Sequence, residues 1–146
     1  MTAIARNIRR SLPVVATGAA LLLAWSPLSA QAEDVKVMLS GSQEVPPVTS
    51  SGSGSGTISI GADKTVTGSV TTTGVTGTMA HIHDGAAGKN GPVVVPLSKS
   101  GENTWAVPPG VKLTDAQYKA FKAGDLYVNV HSAQHQGGEI RGQLKP

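Results

Sequence analysis

Beyond residue 32, apolar residues recur at every second position in short runs, and each run soon meets glycine, proline or serine. A period of two sends successive side chains to opposite faces of a strand, so a chain patterned this way folds into short, half-buried strands. Val35-Lys36-Val37-Met38-Leu39 is the first run. Thr57–Ile60, Thr65–Thr73, Thr78–His83, Pro92–Leu97, Asn103–Val107, Leu126–His131 and Glu139–Leu144 follow. Their valines and threonines are β-branched and suit a pleated surface, while glycine and serine mark the turns. Ser40 to Gly56, with Pro46-Pro47 and the Ser-Gly repeat from Ser51, predicts a loop that runs into an edge strand. One helix interrupts the pattern, near 114–123. Thr114 and Gln117 have capping-box spacing, Ala116, Ala120 and Phe121 line one side, and Gly124 stands where a helix ends. About seven or eight short strands predict a β-sandwich or barrel.

The 146 residues carry a formal charge of +3, and Arg6, Arg9 and Arg10 account for all of it. They precede an apolar stretch from Leu12 to Trp25, the helix breaker Pro27, and the small-x-small triplet Ala30-Gln31-Ala32. That order predicts a secretory signal peptide over residues 1–32, cleaved after Ala32, and a domain over 33–146. The apolar run is shorter than the roughly 20 residues of a membrane span. The product is then expected in a periplasm or outside the cell, with no membrane attachment after cleavage. Its neutral remainder gives no basic face for nucleic acid, so no nucleic-acid partner is expected. The chain has no cysteine, which excludes disulfides, thiolate metal sites and cysteine nucleophiles.

The four histidines fall in two pairs, His81 with His83 and His131 with His135. On a strand, i and i+2 share a face, so His81 and His83 present two imidazoles side by side while Ile82 points away. Tyr127, Asn129 and His131 likewise share a face opposite Leu126, Val128 and Val130. If the two strands pair, three or four imidazoles converge. An all-nitrogen donor set suits copper or zinc. The alternative is a polar strand face whose histidines bond loops and water. Asp84 can accept from an imidazole N–H or serve its own turn. Glu139 and Arg141 are expected to form a structural ion pair, with metal ligation by Glu139 the other option.

The stretch Leu39-Ser40-Gly41-Ser42-Gln43-Glu44-Val45-Pro46-Pro47-Val48, the segment Ala80-His81-Ile82-His83 and the long terminal motif Gly124–His131 with Gly137–Leu144 resemble the CHRD domain, named after chordin and common in secreted bacterial proteins. The resemblance spans roughly residues 35–144. It implies an all-β, Greek-key/immunoglobulin-like antiparallel β-sandwich and a binding or spacing module. A more distant similarity is to the copper–zinc superoxide dismutase sandwich. It implies His81, His83, His131 and His135 as metal ligands and Arg141 as an anion guide, without a cysteine pair or a zinc subsite. The functional expectation is a secreted or periplasmic module binding a copper or zinc ion. The alternatives are a non-catalytic protein-binding or adhesion module with an unknown protein partner, and a copper oxidoreductase of dismutase type. An enzyme is the less favoured reading, and no catalytic residue stands out.

Overall fold

The computed structural model describes residues 31–146, so the expected signal peptide lies outside the described residues except for its last two positions. Nine strands form: β1 (Glu33–Ser40), β2 (Ser53–Ile60), β3 (Val66–Thr73), β4 (Gly77–Asp84), β5 (Val93–Pro96), β6 (Ser98–Lys99), β7 (Thr104–Ala106), β8 (Leu126–Ser132) and β9 (Ile140–Leu144). One helix, α1 (Asp115–Ala123), lies between β7 and β8. The strands are joined edge to edge in the order β5-β4-β8-β9-β1-β2-β3-β7-β6, and every pairing is antiparallel. The expected all-β fold with one short helix is therefore present. Its layers are parts of one sheet that curls until it is nearly closed around a single core.

Alternation explains which side chains fill that core. Val35, Val37 and Leu39 of β1, Ile58 and Ile60 of β2, Ala80 and Ile82 of β4, and Leu126, Val128 and Val130 of β8 are all buried in it. Helix α1 begins as its residues dictate. Thr114 Oγ1 accepts from the Gln117 N–H at 3.2 Å, and Gln117 Oε1 accepts from the Thr114 N–H at 2.8 Å. Gly124 ends it in the left-handed region at φ 78°, where a Cβ would be strained. Phe121 of this helix is wholly buried against the core.

The Ser-Gly repeat corrects one expectation. Only Ser51-Gly52 stays in the loop, and the rest is no edge: Ser53–Ile60 is an interior strand, hydrogen-bonded to β1 on one side and β3 on the other. A side chain at Gly56 would run into the backbone of Ser69 and Val70. These glycines let two strands approach closely, which is packing and not flexibility. The two-residue β6 was also absent from the sequence reading, being too short to show alternation.

Strand β8 sits between β4 and β9, and all seven of its residues are buried. Its inward face meets the core. Its outward, polar face is covered by three loops, formed by residues 41–52, 85–92 and 133–139. Burying polar groups demands partners, and the candidate site grows from that demand.

Candidate metal centre

The pairing on which the histidine cluster depends does occur. Strand β4 runs antiparallel to β8, with Met79 opposite His131, His81 opposite Asn129 and His83 opposite Tyr127. His81 Nδ1 lies 3.0 Å from His131 Nε2. The His81 and His83 rings are 5.5 Å apart between centroids, and those of His83 and His131 are 6.2 Å apart. One ring nitrogen from each of the three lies within 4.8 Å of the other two.

Backbone carbonyls set the tautomers. His83 Nδ1 is 2.9 Å from Gly91 O, and His131 Nδ1 is 2.8 Å from Gln136 O. A carbonyl only accepts, so both Nδ1 atoms carry hydrogen and both Nε2 atoms keep their lone pairs when the rings are neutral. His131 Nε2 then accepts from His81 Nδ1–H. His83 Nε2 is buried and has no hydrogen-bond partner. Burial pushes the His81 basicity below the ordinary histidine value, and the nearby His131 and His83 add to the effect. Burial also lowers His83, outweighing the opposing hydrogen bond to Gly91. The pair is thus biased toward the uncharged form that ligates metal.

The fourth histidine is elsewhere. His135 stands in the turn after β8, where its N–H donates to Ser132 Oγ at 3.2 Å, and it is not a member of the trio. Among the described residues, Asp84 makes no side-chain bond to an imidazole. The carbonyls of Gly91 and Gln136 take that orienting role.

Glu139 and Arg141 do not form the expected ion pair. Glu139 accepts from Ser50 Oγ at 2.7 Å. Burial alone would raise its pKa, but hydrogen bonds from Ser132 and Ser50, with His135 nearby, hold it below the ordinary value. Arg141 is only 1% exposed. It donates to Lys89 O at 2.9 Å, Ala86 O at 3.0 Å and Gln143 Oε1 at 3.1 Å, and its guanidinium lies 3.4 Å from the Tyr127 ring centre. The same Tyr127 ring stacks on His83 at 4.8 Å with an interplanar angle of 6°. An arginine held in this way ties a loop to β9.

Sequence reasoning gave Glu44 and Asn129 no role at the site. Glu44 is 5% exposed, and Asn129 Nδ2 donates to its Oε1 at 3.4 Å. Burial pushes the Glu44 carboxyl up to about 7, against the smaller opposing effects of Asn129 and Arg141. Its place within the Gln43-Glu44-Val45-Pro46-Pro47 motif was the available signal. Gly138 packs directly on this pair at φ 130°, and a Cβ there would overlap Asn129 Nδ2 and the Glu44 carboxylate. Gly138→Ala is accordingly expected to cost about 1–3 kcal/mol in urea unfolding, from strain and overpacking together. A loss under about 0.5 kcal/mol, the range of ordinary surface substitutions, would contradict this packing.

A family model described as the CHRD domain matches residues 35–144, which takes in every strand that contributes to the trio. No curated protein and no solved structure matches the chain.

Proposed function

Because the chain belongs to the CHRD domain family and joins three imidazoles at one point, we propose that it binds one copper or zinc ion through His81, His83 and His131. The observation that carries this reading is the unpartnered, buried His83 Nε2 beside the His131 Nε2 that accepts from His81 in this structure. A buried polar atom without a partner is costly, and a cation would satisfy it. Nitrogens about 2.0–2.1 Å from one ion lie at most about 4.2 Å apart. Closing the difference from 4.8 Å would fall to His81, the ring without a backbone hydrogen bond. To ligate through Nδ1, neutral His81 would move its single hydrogen from Nδ1 to Nε2. The module would act outside the cytoplasm, as its signal-like N-terminus suggests, to buffer or deliver the ion. Arg141 gives no support to a dismutase, since its guanidinium is committed to carbonyls and to Tyr127.

Calorimetric titration with copper(II) and zinc tests the proposal. One ion per chain is expected, with binding abolished in His81→Ala/His83→Ala. Affinity should hold at neutral pH. It should fall on acidification once the solution drops below the ordinary histidine value of about 6.5, because protons then compete for the same nitrogens. If the native protein binds neither metal, the histidines are cross-strand hydrogen-bond partners and the function lies in contacts with another protein.

A further inference from the structure

Strand β4 continues the histidine face by one more residue. Ala80 and Ile82 point into the core, so Met79, His81 and His83 share the opposite face. Met79 is also directly opposite His131 on β8. Side chains so paired have Cβ atoms about 4.5–5.5 Å apart, within reach of a flexible thioether. Met79 therefore neighbours both members of the 3.0 Å His81–His131 contact. It is 49% exposed, whereas His83 and His131 are buried and His81 is intermediate. Exposure thus rises along the face from His83 to Met79, and the cluster meets solvent at the thioether end.

We propose that Met79 supplies a fourth, sulfur ligand and makes this a copper site able to hold copper(I), with zinc disfavoured. The inference rests on the three-histidine reading and adds to it the choice of metal. Three imidazoles alone suit zinc and copper alike. A thioether is a soft donor that favours copper(I) and contributes little to zinc. Its position at the solvent end makes it the first group an arriving ion meets and the last it leaves. Met38 is the other exposed methionine among the described residues, on β1, which is separated from β8 by β9.

The test is anaerobic copper(I) titration against a chromophoric chelator, beside copper(II) and zinc titrations, of the native protein, Met79→Leu and Met38→Leu. Met79→Leu should weaken copper(I) binding at least about tenfold, the equivalent of about 1.4 kcal/mol. Its copper(II) and zinc affinities should stay within about twofold, and Met38→Leu should match the native protein throughout. Copper X-ray absorption should show a sulfur neighbour that is lost in Met79→Leu only. Unchanged copper(I) affinity in Met79→Leu overturns the thioether ligand and leaves the histidine site standing. So does a native protein that takes copper(II) or zinc and refuses copper(I). A native protein that binds none of the three overturns the histidine site as well.

Discussion

Replacing Arg141 with alanine is expected to destabilise the protein by about 2–4 kcal/mol, because it breaks a buried hydrogen-bond network and leaves its acceptors unpaired. The guanidinium is the tie between β9 and the loop after β4. It reaches Lys89 O, Ala86 O and Asn90 Oδ1 on that loop, and Gln143 Oε1 on its own strand. Its removal strands those acceptors and empties the space above Tyr127. Gln143, whose Nε2 donates to Gly85 O at 2.8 Å, would be left as the loop's remaining side-chain tie to β9. Urea denaturation should report the loss as a lower midpoint with an unchanged slope. The same loop carries Gly91 O, which orients His83. On the proposed metal function, affinity should therefore also fall by about 10–100-fold, as it does when a ligand loses its orienting partner. A stability change below about 1 kcal/mol would mean that the loop is held by something other than this arginine.

Glu44→Gln should stabilise the protein, and only at the alkaline end. In the native fold, burial lets Glu44 hold its proton up to about 7, against an ordinary value of 4.5. A raised pKa favours the folded state fully below 4.5, and that advantage is lost as pH climbs through 7. The interval corresponds to a penalty on the order of 3 kcal/mol at pH 8. Glutamine keeps the oxygen that accepts from Asn129 Nδ2 and never ionises. The variant should therefore match the native protein near pH 4.5 and exceed it at pH 8. His81 and His83 contribute in the opposite sense. Their lowered values give stability that is present above about 6.5 and lost as pH falls. They are common to both proteins, so the difference between the two unfolding curves isolates the carboxyl. Equal differences at pH 4.5 and pH 8 would show that folding does not raise the Glu44 pKa.

These effects come from loops folded over a strand face, and that is where sequence reasoning reached its limit. The run Leu126–His131 alternates cleanly and was legible as a strand with Tyr127, Asn129 and His131 on one side. Alternation normally implies that the polar side is wet. Here residues 41–52, 85–92 and 133–139 cover it, and Asn129 is buried as deeply as the core valines. Glu139 and Arg141 look like an ion pair at two-residue spacing, yet Ser50 and the 85–91 loop claim them first. Both competing partners come from distant parts of the chain.

Local rules were sufficient for the strands, for the capping box at Thr114, for the glycine stop at Gly124 and for the shared face of His81 and His83. Each depends on backbone geometry over a few residues, and that geometry repeats wherever such residues occur. The tertiary structure alone decided that β4 lies beside β8, that His131 joins the pair and His135 does not, and that the Ser-Gly repeat from Ser53 on is an interior strand. Spacing along a strand fixes which face a side chain takes. Which strand becomes its neighbour depends on how the whole apolar set closes around one core.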